Sequence, residues 1–148
     1  MPNLLFVCSS NRTRSPLAAA LFAQFAREGG LLGWSVDSAG LRAQHGLRVA
    51  ENVDAVLAAR GLHPLRLGTQ VVTSKLITEA DLILCMTRDQ MKELTKKFVS
   101  ARNKTKTVMS ILREETDVFD PNKGDSARYE ACVSMMEPAL RTLVERLK

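Results

Sequence analysis

Hydrophobic and polar positions alternate between two periods along the chain, and the switches between them mark the elements. Leu4-Leu5-Phe6-Val7 is a short unbroken apolar run of the kind found in a strand buried on both faces of a parallel sheet. Polar residues follow from Cys8 to Thr13. A helix is then expected to open at Arg14 or Ser15, with Pro16 in its first turn, where a missing N–H costs nothing. Leu17, Leu21 and Phe25 give it one buried stripe, and Gly29-Gly30 ends it. Trp34 to Ser38 predicts a second strand, closed by Ala39-Gly40. Val49 to Arg60 predicts a second helix, stopped by Gly61, and Ser74 to Ala80 a short third one. Asp81 to Met86 predicts a third buried strand. Thr87 and Gln90 form a capping-box pattern ahead of Met91, Leu94 and Phe98. Thr107 to Ile111 predicts a fourth strand, and Arg113 to Gly124 a polar loop. Helical spacing returns at Val133, Met136, Leu140, Leu143, Val144 and Leu147. Pro138 lies inside that pattern, which predicts a kink near Ser134–Glu137 or two helices in series. Alternating strands and helices imply one doubly wound α/β domain over residues 1–148, a four-stranded parallel sheet with helices on both faces.

Composition narrows what such a domain can do. The 148 residues carry a net charge of +5, dispersed along the chain, and 5% aromatics. That balance suits an anionic ligand and gives no base-stacking surface for nucleic acid. Cys8, Cys85 and Cys132 are too few and too scattered for a disulfide framework or a zinc site. No secretory leader and no membrane-length apolar run is visible, so a cytoplasmic protein with no membrane partner is expected.

The chemistry concentrates in Val7-Cys8-Ser9-Ser10-Asn11-Arg12-Thr13-Arg14-Ser15-Pro16. This loop falls between a strand and a helix N-terminus, where doubly wound folds bind ligands and where free N–H groups and the positive dipole end face an anion. Ser9, Ser10, Asn11, Arg12, Thr13, Arg14 and Ser15 are the candidate phosphate-binding residues, their N–H groups converging as the loop curls. Asn11 tolerates the left-handed turn such a curl needs. Cys8 sits where those dipoles favour a thiolate, and Arg14 can fork onto two phosphate oxygens. A thiolate nucleophile calls for an acid at the leaving group. Asp120, held extended by Pro121, is the candidate, although Asp-Pro is also a common turn opener.

These stretches, with Asp37-Ser38-Ala39-Gly40 and Ala80 to Thr87, resemble the low-molecular-weight protein-tyrosine phosphatase family in order and spacing over nearly the whole chain. The resemblance implies a flavodoxin-like, phosphotyrosine phosphatase I type fold. It implies a phosphocysteine on Cys8, phosphate binding by Arg14, and Asp120 as general acid and then base. Ser15 would donate to the Cys8 thiolate, and Asn11 and Ser38 would share a loop-shaping hydrogen bond. No cofactor or metal is implied. The expected partner is a phosphorylated protein or small phosphomonoester, and the expected state a monomer or weak dimer. The chain departs from the family's usual pattern at Arg12, at Thr13, at Leu41 to Ala43, and at Asn122 and Lys123, where aromatics usually clamp a phosphotyrosine ring. Gly124 resembles the corresponding loop of arginine-phosphate phosphatases.

Other readings share the loop. A protein-arginine phosphatase is one. An arsenate reductase would need two resolving cysteines, of which Cys85 alone is near the expected place. An RNA polymerase tail-type phosphatase would share the Cys-Ser-Ser-Asn start. A phosphocysteine carrier would lack Arg14 and Asp120, and against a non-catalytic phospho-binding module stand the intact nucleophile Cys8, arginine Arg14 and acid Asp120.

Overall fold

A computed structural model describes all residues, 1–148. Four parallel strands lie in the order β2-β1-β3-β4, with β1 at Asn3–Cys8, β2 at Ser35–Gly40, β3 at Leu82–Cys85 and β4 at Thr105–Thr107. Helices α1 (Arg14–Glu28), α2 (Glu51–Ala58), α3 (Ser74–Glu79), α4 (Arg88–Lys97) and α5 (Ser126–Leu147) complete the architecture. Strand order reverses beside β1, so the loop leaving β1 stands at a topological switch point, the place where open α/β sheets bind ligands.

β1 has no polar face because it is covered on both sides. Leu4, Phe6 and Cys8 join the larger core with α1, α2 and α5. Leu5 and Val7 join the smaller one with residues of α3 and α4. Registers Cys8↔Gly40 and Val7↔Cys85 bring the carboxyl ends of three strands level beneath the loop. Helix α4 starts on the expected capping box, with Thr87 and Gln90 bonding reciprocally.

The structure and the sequence pattern differ at several boundaries: the second helix covers Glu51–Ala58 rather than Val49 to Arg60 and the third strand Leu82–Cys85 rather than Asp81 to Met86, and three further differences have a clear physical reason. Ala39 and Gly40 belong to β2, since the strand continues to pair with the end of β1. The fourth strand covers only Thr105–Thr107, and Met109–Leu112 forms a 3-10 turn. The apolar residues Met109 and Ile111 pack from that turn into the larger core, so their burial does not require a strand. The C-terminal segment is one helix through Pro138, not two in series. Pro138 and the turn before it at Ser134 face solvent, so water can satisfy the carbonyl that proline leaves free. Buried Cys132, Val133, Met136, Ala139 and Leu140 hold both sides of it on one core. No helix is long and apolar enough to cross a membrane.

Candidate active site

The loop from Cys8 to Arg14 closes around the Cys8 sulfur. Asn11 takes φ +61°, which turns the chain and aims its backbone N–H at Sγ from 3.3 Å. Ser15 Oγ lies 3.0 Å from the same sulfur. The segment leaving β2 fixes the loop from below: Leu41 N–H donates to the Cys8 carbonyl and Arg42 N–H to that of Ser9.

Asn11 is the hub of a buried network. Its side-chain amide donates to Ser15 Oγ and Ser38 Oγ, both at 2.9 Å, while its carbonyl oxygen accepts from Gln70 N–H at 3.0 Å. Every polar atom of the side chain is thus engaged, which specifies a single loop conformation. Gln70 in turn donates to the Ser38 carbonyl and to Asp37, which also accepts from Arg66.

Helix α1 begins without a side-chain cap and without an acidic residue in its first turn. Its first N–H groups and positive dipole end are therefore left for an anion. Thr13, at the capping position, turns its hydroxyl instead to Asp120 Oδ1, 3.2 Å away. Arg14 is buried, with Nη1 donating to the Val118 carbonyl at 3.0 Å and Nη2 3.7 Å from Asp120 Oδ2. Its Nε is the single buried side-chain polar atom with no partner.

Asp120 reaches the loop because the 113–125 segment is pinned. Val118 N–H donates to the Met86 carbonyl at the end of β3. Asn122 N–H closes a turn onto Asp120 Oδ1. The carboxylate stays about half exposed.

Cys8, Arg14, Ser15, Asn11, Ser38, Thr13 and Asp120 therefore converge. Ser9 and Ser10 are engaged by neighbours: Ser9 Oγ accepts from Gln90, and Ser10 Oγ from Arg12 N–H. Arg12 points elsewhere than the sulfur, its Nε donating to the Arg48 carbonyl and its own carbonyl accepting from Ala50 N–H. Gly40, Gln70 and Gln90 escaped the reading of the sequence as site residues. A Cβ at Gly40 would lie 2.7 Å from the Ser9 carbonyl oxygen and 2.8 Å from Asn11 N. The Asp-Ser-Ala-Gly string held a signal for Gly40, and the capping box placed Gln90 at the start of α4 without pointing to the loop; Gln70, a lone glutamine, carries none. Cys85 and Cys132 are fully buried, and burial pushes both thiols up to about 12. They are neutral at physiological pH. No cluster of three or more metal-ligating side chains is present.

The match to known proteins agrees with this geometry. Residues 3–148 match the family model described as low molecular weight phosphotyrosine protein phosphatase. The chain belongs to that family. The family's members are cysteine-dependent phosphatases. A protein-arginine-phosphatase of Bacillus subtilis is 31% identical over 99% of this chain and 97% of its own. A probable low molecular weight protein-tyrosine-phosphatase, EpsP, of Ralstonia solanacearum is 32% identical over 98% and 95%. A solved structure of the arginine phosphatase YwlE superposes with a TM-score of 0.92 at 29% identity, covering 98% of this chain and 95% of that one. It is a cysteine-to-serine mutant with a phosphorylated active-site serine.

Proposed function

We propose that this chain hydrolyses phosphorylated proteins through a phosphocysteine on Cys8. One observation carries the reading: the buried, unpartnered Nε of Arg14 stands beside an uncapped helix N-terminus, around a sulfur held by Asn11 N–H and Ser15. A buried donor without a partner is costly, and a phosphate oxygen would satisfy it. The phosphorylated serine in the YwlE mutant supports the same assignment.

In the first step the Cys8 thiolate attacks phosphorus, an S–P bond forms, and the bond to the leaving group breaks. Protonated Asp120 gives its proton to the departing atom. Arg14 and the loop N–H groups hold the charge on the equatorial oxygens. Asp120, now a carboxylate, takes a proton from water as that water attacks phosphorus and releases the thiolate. Ser15 Oγ donates to the sulfur whenever it carries charge. These roles need no cofactor. Three free thiols, Cys8, Cys85 and Cys132, support a reducing, cytoplasmic setting for a nucleophilic cysteine.

Phosphotyrosine is the substrate the family's description suggests. A second reading, phosphoarginine, is favoured by the mouth of the site. Leu41, Asn122 and Lys123 offer no ring to clamp a phenol, and the nearby Phe119 face is taken by Arg128 at 4.7 Å. Asp120 is braced by Thr13, and the carboxyl oxygen that does not carry its proton can accept from a guanidino N–H. Turnover of matched phosphotyrosine, phosphoarginine and phosphoserine peptides decides between the two. Cys8→Ser is expected to abolish turnover while still binding phosphate. Near wild-type turnover in that variant would refute the role of Cys8.

A further inference from the structure

Gln90 lies outside the loop, at the third position of α4, yet it is 5% exposed and uses every hydrogen-bonding edge of its amide. Its Oε1 accepts from Met86 N–H at 3.1 Å and Thr87 N–H at 3.0 Å. Backbone N–H groups can only donate, so the carbonyl edge must face them. The amide orientation is thereby fixed, and the NH2 edge is turned to Ser9 Oγ, 3.1 Å away. Ser9 Oγ must then accept this bond, which leaves its own hydrogen free to donate elsewhere. The Ser9 backbone cannot swing away, because its carbonyl accepts from Arg42 N–H and packs on Gly40.

We propose that Gln90 is a positioning residue that holds the Ser9 hydroxyl as a donor to a phosphate oxygen of the substrate. One side chain then does two jobs: it completes the cap of α4, and it sets the hydrogen-bonding sense of a residue next to the nucleophile. The end of β3, where Met86 and Thr87 sit, is coupled to the phosphate cradle through this amide. The inference rests on the reading of the Cys8–Ser15 loop as that cradle.

Inorganic phosphate, used as a competitive inhibitor of p-nitrophenyl phosphate hydrolysis, is the probe. Gln90→Glu retains an acceptor for both backbone N–H groups, glutamate being a usual capping-box partner. It loses the donor to Ser9. Its unfolding temperature should stay within a few degrees of wild type, while the phosphate Ki rises about tenfold, the worth of a lost hydrogen bond at a charged group. Ser9→Ala, which leaves the cap untouched, should produce the same rise. The double variant should be no worse than the worse single one, because both remove one interaction. In Gln90→Glu the Ki should recover as pH is lowered and the introduced carboxyl gains a proton to donate. An unchanged Ki in Ser9→Ala, or losses that multiply in the double variant, would overturn the proposal. A wild-type protein that neither binds phosphate nor turns over p-nitrophenyl phosphate would instead overturn the functional reading itself.

Discussion

Replacing Gly40 by alanine tests how closely strand β2 and the phosphate loop are built against each other. The φ of Gly40 is outside the left-handed region, so alanine is not excluded by backbone strain, and the outcome turns on space alone. The new Cβ would stand 2.7 Å from the Ser9 carbonyl oxygen, 2.8 Å from Asn11 N and 2.9 Å from the Ser10 carbonyl carbon. Ordinary contact begins near 3.4 Å, so the loop backbone must retreat by 3.4 − 2.7, or about 0.7 Å. All three atoms are main chain, and no rotamer change can relieve them. Overpacking of this kind costs about 1–3 kcal/mol, or about 2–12 °C in unfolding temperature for a domain this size. The effect on function should be larger than that suggests. Asn11 N carries the hydrogen aimed at Cys8 Sγ, and misplacement by about 1 Å in a reacting site can cost about a hundredfold. We expect kcat/KM for p-nitrophenyl phosphate to fall between about 10- and 100-fold, with weaker inhibition by phosphate. Gly29→Ala is the control. Its Cβ would crowd Val144 at 3.0 Å and the Phe25 carbonyl at 3.1 Å, but Gly29 is at the far end of α1, about 20 Å from the loop by helix length. It should lose stability and keep activity. A Gly40→Ala protein with wild-type kcat/KM and phosphate affinity would refute the claim that Gly40 shapes the cradle.

Three further outcomes follow from the geometry. Asn11→Ala should destabilise the protein by about 3 kcal/mol in chemical denaturation, because it leaves Ser38, Ser15 and Gln70 N–H short of a partner and puts alanine in a left-handed turn; a loss below about 1 kcal/mol would show that the network is not cooperative. Arg14→Lys keeps the charge but loses the fork, and its phosphate Ki should rise about 10- to 100-fold, whereas an unchanged Ki would place the anion elsewhere. Asp117 is held below the usual carboxylate range by hydrogen bonds from Arg88, and Glu130 by the Arg60 guanidinium. Both keep their charge in the fold to lower pH than in the unfolded chain, so their contribution is complete above the unfolded values of 3.8 and 4.5 and fades as pH falls through the depressed ones. Thermal unfolding followed from pH 6 downwards (on the order of 2 pH units) should show Arg60→Gln losing part of that slope, and an identical slope in the variant would remove Glu130 from the account.

What could be read in the sequence, and what could not, divides by the range of the interaction. β1, α1 and the α4 cap were legible because their signals are local: an unbroken apolar run, a stripe at Leu17, Leu21 and Phe25, and Thr87 three residues before Gln90. The loop was legible because Cys8 and Arg14 are separated by the length of one turn around an anion. Where tertiary packing decides, local pattern misled. Met109 and Ile111 look like strand residues, but a 3-10 turn buries them as well. Pro138 looks like a break, but the core on either side of it outweighs one lost hydrogen bond. Gln70 left no trace, and Gln90 showed only as the partner of Thr87 in the cap, because nothing local distinguishes a glutamine that braces a loop 59 or 81 residues away from one that does not. Their role arises from the parallel sheet. With Val7↔Cys85 and Cys8↔Gly40 in register, the segments that follow three strands must meet at one end of the sheet, and the polar groups there either satisfy one another or stay orphaned. Nearly all of them do so here. The exception is Arg14 Nε, an orphan at the centre of an otherwise satisfied network, and a bound anion at this end of the sheet would give it a partner.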